Sequence, residues 1–387
     1  MKNFLPESRH PSRHLRPRPS TGNLGRTVLS NIYEAVTGRR PVPAAFIRRA
    51  VANGLPKDHL HEAIRRAKSV HQLPDYLLGM AAQKHEQGVY WNDLGLNARA
   101  RDNYLESTFW ALYAEVLSDD HARKHEIHQQ YSSSYECAAP HFAAPAKLVQ
   151  VGFVASTLQG YLRIPPTVQT SATGKLPCVI VLNGLCSPKE ELHYVENALV
   201  ARGFATLSVD YPGQVGTLPP SPFDVAEFGN SLCLFLSAHP EIDCSRISLY
   251  GTSLGARIAL YLALTFPERF KAVVSISAPY DLTGDLNQMT PALAKELLLP
   301  VITARTSLLE LAQQTPIEER LGKLTTPVLV AGGGKDLITL PEETRYIFEQ
   351  IDSADKKLLL CPGANHNLYE MMPSIRYEIA QWLWQRA

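Results

Sequence analysis

No run of about 18 uncharged apolar residues occurs in the chain, so it lacks the stretch a membrane-crossing helix requires and no membrane partner is expected. The first twenty residues carry arginine and proline but no apolar core, which argues against a secretory signal; an Arg-rich organellar transit segment is the alternative to a disordered basic tail over 1–25. The six cysteines show no CxxC spacing and mostly sit in apolar runs, the pattern of reduced, buried thiols rather than of a disulfide framework or a zinc site. A reducing, cytoplasmic setting is the expectation. Charge of one sign is also scarce. The formal charge is +1, and because residues 1–49 alone hold +8, the rest stands near −7. A mildly acidic body argues against a nucleic-acid groove. No internal repeat period stands out.

What is present is an ordinary globular balance, with 45% apolar and 19% charged residues over 387 positions, enough for one large domain with an accessory layer or for two domains. Residues 26–140 read as an N-terminal helical cap domain, because apolar positions such as Ile64 and Ala67, then Tyr76, Leu77 and Met80, then Tyr104, Thr108, Trp110 and Leu112 recur at helical spacing. Asn53-Gly54-Leu55-Pro56 and Gln72-Leu73-Pro74 punctuate that half, since proline suits the first turn of a helix and glycine its exit.

After residue 140 the rhythm changes to short β-branched runs alternating with helical segments. Strands are expected at 148–154, 158–164, 179–183, 205–210, 247–251, 272–277, 328–331 and 357–360, the first two forming a hairpin. Continuous Val/Ile/Leu strands separated by helices imply a mostly parallel sheet covered on both faces, a doubly wound α/β domain spanning 141–387. Residues 281–326 are too long for a simple connection and read as a lid-like insertion with helices at 292–298 and 307–313.

The chemistry is written most clearly at Gly251-Thr252-Ser253-Leu254-Gly255, which follows a strand and opens a helix. Glycines two before and two after the serine permit a sharp strand-to-helix turn that lifts the hydroxyl above the sheet edge. Ser253 is the expected nucleophile, and the Leu254 amide at the helix N-terminus the first oxyanion donor. A serine hydroxyl needs a base oriented by a carboxylate, in the chain order Ser, Asp or Glu, His. One histidine follows Ser253, His366, in a turn after the last strand. Asp336 leaves a strand through a triple-glycine turn at the same sheet edge and is the expected acid, with Asp281 as the fallback. The second oxyanion amide is expected from Leu185 or Cys186 in the loop after strand 179–183.

Four segments, Gly160-Tyr161-Leu162-Arg163-Ile164-Pro165, Gly184-Leu185-Cys186-Ser187-Pro188-Lys189-Glu190-Glu191, Asp210-Tyr211-Pro212-Gly213-Gln214 and the Gly251–Gly255 pentapeptide, together resemble an α/β-hydrolase family. That family includes the fermentation-respiration switch protein, 2,6-dihydroxypseudooxynicotine hydrolase and polyketide-shortening pigment hydrolases. The resemblance covers roughly residues 60–387. It implies an α/β-hydrolase fold with an eight-stranded sheet under an N-terminal helical cap, and dimer contacts through those helices. It implies the triad Ser253, Asp336 and His366, no cofactor and no metal. The implied substrate is a small apolar carbonyl compound, aromatic or polyketide-like, cleaved at an ester or at a carbon–carbon bond beside a ketone. Glu190, Tyr211, Trp110 and Tyr113 are the expected substrate contacts.

Two positions depart from the family pattern. Asn183 stands where members often carry glycine, and Cys186 stands near the place of an acidic residue, so Glu190 and Glu191 are the nearest acids. Both are also suited to stabilising a helix N-terminus. The absence of that acid leaves ester or thioester cleavage open beside carbon–carbon hydrolysis. Acyl transfer or cyclisation by the same nucleophile is the alternative chemistry, and a partner-binding regulatory protein the alternative class. His121, His125 and His128 fall at i, i+4 and i+7 on one helix, but the charged residues around them read as a solvated face rather than a metal site.

Overall fold

The computed structural model describes residues 42–67, 71–118, 120–154, 156–166, 174–185, 187–212, 214, 223–288 and 301–387. The expectations placed on residues 1–41, on Cys186 and on a helix at 292–298 lie outside these residues.

Five helices open the described chain: α1 (Ala44–Ala52), α2 (Lys57–Arg66), α3 (Leu73–Asp93), α4 (Asn97–Leu117) and α5 (His121–Ala138). The punctuation read from sequence falls at their joints. Gly54 takes φ +98° between α1 and α2, a left-handed conformation that favours glycine, and Pro74 sits in the first turn of α3. α4 buries an almost unbroken run from Ser107 to Glu115. That run is the centre of a separate apolar core with Leu60, Leu77, Tyr131 and Tyr135.

Eight strands follow: β1 (Ala146–Phe153), β2 (Ser156–Arg163), β3 (Leu176–Leu182), β4 (Ala205–Val209), β5 (Ile242–Thr252), β6 (Phe270–Ile276), β7 (Val328–Gly333) and β8 (Lys356–Cys361). They form one sheet in the order β1-β2-β4-β3-β5-β6-β7-β8. The β1–β2 hairpin and the β2–β4 pair are antiparallel, and the remaining pairs are parallel. Every residue of β3, β4 and β7 is buried, as strands covered on both faces must be. The helices that cover them are α6 (His193–Arg202), α7 (Val225–Ser237), α8 (Leu254–Thr265), α11 (Pro341–Gln350) and α12 (Met372–Trp384).

Between β6 and β7, α9 (Leu282–Gln288) and α10 (Val301–Gln314) occupy the insertion. Arg257 of α8 fixes this segment from below. Its fully buried guanidinium donates to the carbonyls of Tyr280 and Thr315, both at 2.6 Å, and to Glu318 Oε1 at 2.8 Å. The N-terminal helices meet the sheet at its antiparallel side. The rings of Tyr135 on α5 and Tyr161 on β2 lie 4.7 Å apart. Among the described residues, no helix is long and apolar enough to cross a membrane.

Candidate active site

β5 runs straight into α8, and Ser253 occupies the joint with φ 53° and ψ −121°. A non-glycine residue in this region carries strain of about 1–3 kcal/mol, which the surrounding structure must impose. The two flanking glycines make the joint possible. A Cβ on Gly251 would lie 2.4 Å from the Gly255 carbonyl oxygen, and one on Gly255 would lie 2.3 Å from the Leu182 oxygen. Side chains at either position would force β3, β5 and α8 apart, so the sequence G-x-S-x-G is a packing requirement here.

The same joint is met by two other loops at the carboxyl edge of the sheet. His366 arrives in a short turn after β8, its Nε2 2.9 Å from Ser253 Oγ. Its Nδ1 lies 2.8 Å from Asp336 Oδ2, beyond the end of β7. Asp336 is buried, and its other oxygen accepts from the amides of Ile338 (2.9 Å) and Thr339 (3.0 Å). A carboxylate accepting at both oxygens requires the hydrogen on Nδ1, which leaves Nε2 to accept from the serine hydroxyl. The fallback acid Asp281 is elsewhere engaged, accepting from the Gly284 amide at 2.8 Å at the start of α9.

The loop after β3 lies against Ser253. A Cβ placed on Gly184 would be 3.2 Å from that of Ser253. Asn183, the departure noted in sequence, holds this loop. Its Oδ1 accepts from Thr252 Oγ1 (2.8 Å) and from the Gly184 amide (3.0 Å). Gln214 Nε2 donates to the carbonyls of Gly184 (2.8 Å) and Ser187 (2.7 Å). Leu254 opens α8, so its amide belongs to the first turn, where backbone N–H groups have no intrahelical acceptor. Leu185 lies in the clamped loop, and Cys186 falls outside the described residues.

The four expected substrate contacts, Trp110, Tyr113, Tyr211 and Glu190, are all buried. Trp110 is fully buried among the N-terminal helices with Nε1 donating to Glu106 at 3.2 Å. Tyr113 is fully buried too, and its hydroxyl donates to Glu191 Oε1 at 2.8 Å. Tyr211 packs flat against Phe223 with ring centroids 6.1 Å apart. Glu190 is shut off from solvent, bonded to Lys189 at 3.0 Å and to Ser132 at 3.3 Å. For Trp110 and Tyr113, helical periodicity reports that a ring is buried and does not say against what.

Sequence reasoning also missed a buried polar network behind the loop. Lys189 Nζ pairs with Asp210 Oδ2 at 2.9 Å, and the Lys189 amide bonds Asp210 Oδ1 at 2.7 Å. Burial pulls the Lys189 ammonium toward neutrality, but Asp210 and Glu190 outweigh it and raise its pKa. Glu191 accepts from Arg49 at both oxygens (2.6 Å each), from Asn53 (3.0 Å) and from Tyr113. Burial likewise opposes the Arg49 charge, and Glu191 reverses the balance, holding its pKa well above the ordinary value. Farther into the helices, burial raises Glu115 to about 8, opposed by a hydrogen bond from Tyr131. His128 bonds Tyr131, His125 bonds Gln129, and among the described residues no cluster of His, Cys, Asp or Glu could hold a metal.

The strand order, the strained serine at the β5–α8 joint and the helical cover define an α/β-hydrolase. The chain belongs to the FrsA-like esterase family, whose model matches residues 84–383. A 2,6-dihydropseudooxynicotine hydrolase of Paenarthrobacter nicotinovorans is 25% identical over 315 residues, covering 80% of this chain and 83% of that protein. Esterase FrsA of Yersinia enterocolitica is 26% identical over 317 residues, covering 76% and 70%. A crystal structure of 2,6-dihydroxy-pseudo-oxynicotine hydrolase shares the fold with a TM-score of 0.76 at 23% identity, over 88% of this chain and 95% of that one.

Proposed function

We propose that the protein is a serine hydrolase that cleaves a small carbonyl compound through an acyl-enzyme on Ser253. His366 takes the serine proton as Oγ attacks the carbonyl carbon, Asp336 keeps the imidazole in the tautomer that can accept it, and His366 then protonates the leaving group. The amide of Leu254, with one from Leu185 or Cys186, stabilises the oxyanion. Water activated by His366 releases the acyl group. The observation that carries this reading is the unbroken relay Ser253–His366–Asp336, with links of 2.9 and 2.8 Å.

The polar groups behind the oxyanion loop favour an ester over a carbon–carbon bond. Glu190 and Glu191, the acids nearest the missing family carboxylate, are buried and bound to Lys189 and Arg49, so neither replaces it. An ester or thioester leaving group needs protonation by His366 alone. Breaking a bond to carbon demands further stabilisation of a carbanion or enolate. The reading also includes a homodimer through the N-terminal helices and a cytoplasmic setting, the former checked by sedimentation.

Fluorophosphonate labelling tests the core of the proposal. The wild-type protein is expected to label on one serine and Ser253→Ala not at all. Equal labelling of the two, or none of either, rejects the nucleophile. A panel of nitrophenyl esters, thioesters and aryl 1,3-diketones then separates the chemistries, and turnover of diketones alone would overturn the ester preference.

A further inference from the structure

Two consecutive arginines on α1, Arg48 and Arg49, reach two different loops of the site. Arg49 forms a bidentate pair with Glu191 and donates through Nη2 to Ser187 Oγ at 2.8 Å. Ser187 lies inside the clamped loop after β3, its amide bonded to the Gly184 carbonyl at 3.2 Å and its carbonyl to Gln214. Arg48 pairs with Glu370 Oε1 at 2.7 Å. Glu370 in turn accepts from the amide (3.1 Å) and the side-chain Nδ2 (2.6 Å) of Asn365, the residue before His366.

The two loops are also joined to each other at this place. The Tyr369 hydroxyl shares a hydrogen bond with Ser187 and accepts from Asn367 Nδ2 at 3.3 Å, so Tyr369 ties the oxyanion loop to the residue after His366. Burial pushes Tyr369 up to about 12 against the opposing pull of the Arg49 charge, so its hydroxyl remains neutral at any working pH. One guanidinium thus stands behind Glu191, Ser187 and Tyr369 together. Its partner Glu191 lies 142 residues along the chain and accepts only from side chains of the N-terminal helices among its described contacts, Arg49, Asn53 and Tyr113.

A buried ion pair is a poor means of gaining stability, because an apolar pair of similar volume serves as well without the desolvation cost. What a bidentate guanidinium–carboxylate pair does supply is fixed direction. Here the fixed parts are the backbone that presents the oxyanion amides and the turn that presents the imidazole. We propose that Arg49 is a positioning residue for the oxyanion loop and that α1, through Arg48 as well, holds the two loops in register with Ser253. This inference rests on Ser253 being the nucleophile.

The test compares Arg49→Lys, Arg49→Met and the double variant Arg49→Met/Glu191→Leu with wild type, by steady-state nitrophenyl ester hydrolysis, fluorophosphonate labelling rate and thermal midpoint. In the double variant Asn53 and Tyr113 retain each other at 3.0 Å, so no buried charge is stranded. A positioning role predicts a double variant that melts near wild type yet has kcat and labelling rate lowered about 100-fold, the scale of a 1 Å misplacement, with KM within threefold. Arg49→Lys, which keeps the charge but not the fork, recovers only part of that loss. A double variant with wild-type kcat overturns the proposal, and if that variant does not fold, Arg49→Lys with kcat within threefold of wild type does the same. Wild type that neither labels nor hydrolyses while Ser253→Ala behaves identically removes the nucleophile itself, an outcome separate from the loss of the Arg49 role alone.

Discussion

Asp336→Asn isolates the orientation of the imidazole from everything else at the site. Asparagine keeps an oxygen that can accept from the amides of Ile338 and Thr339, so the turn after β7 retains both of its hydrogen bonds. Its amide nitrogen then faces His366 Nδ1 across the 2.8 Å now spanned by Oδ2. An –NH₂ group can only donate there, so Nδ1 must accept, the ring hydrogen moves to Nε2, and that N–H donates to Ser253 Oγ across the 2.9 Å where the ring nitrogen accepted before. The imidazole is held in place and can no longer take the proton. A loss of about 10⁴-fold in kcat at neutral pH follows, or about 5.5 kcal/mol in the barrier. The assay is nitrophenyl ester hydrolysis with the fluorophosphonate labelling rate in parallel, and thermal unfolding should shift little. A folded variant retaining more than one tenth of wild-type activity would refute the tautomer argument.

Two further outcomes follow from the buried groups outside the relay. Glu115 has its pKa raised from 4.5 to about 8, so the folded protein binds a proton that the unfolded chain releases, and stability falls as pH rises between those two values. Glu115→Gln should remove a slope of up to about 1.4 kcal/mol per pH unit across that window, and denaturant titrations at pH 5 and 8 giving an unchanged slope would exclude a protonated Glu115. Arg257→Met strands the carbonyls of Tyr280 and Thr315 and the Glu318 carboxylate. It should cost about 3–5 kcal/mol and open residues 281–326 to limited proteolysis, whereas an unchanged digestion pattern would show that the insertion is held elsewhere.

All eight strands were legible because each announces itself locally, as a short apolar or alternating run closed by a turn. The relay was legible for a different reason. Gly251 and Gly255 are demanded by contacts with Gly255, Leu182 and Asn183 that no Cβ could survive, and the later members must leave strands at the same edge. The network behind the oxyanion loop left no such trace. Glu191 reads as a residue opening a helix, and nothing in its neighbourhood announces a guanidinium 142 positions earlier. Trp110 and Tyr113 show the complementary limit: their spacing reveals a buried face, while the partner of that face is set by tertiary packing. Asn183 looked like a departure from pattern and proves to be a bracket, holding Thr252 and the loop amide at once.

In the proposed mechanism the base, His366, stands 113 residues downstream of Ser253. During synthesis the hydroxyl therefore emerges from the ribosome long before the imidazole, and a nascent or prematurely terminated polypeptide carries only an ordinary alcohol. On that mechanism a reactive serine exists only once translation has passed His366, so late synthesis of the base acts as a safety catch.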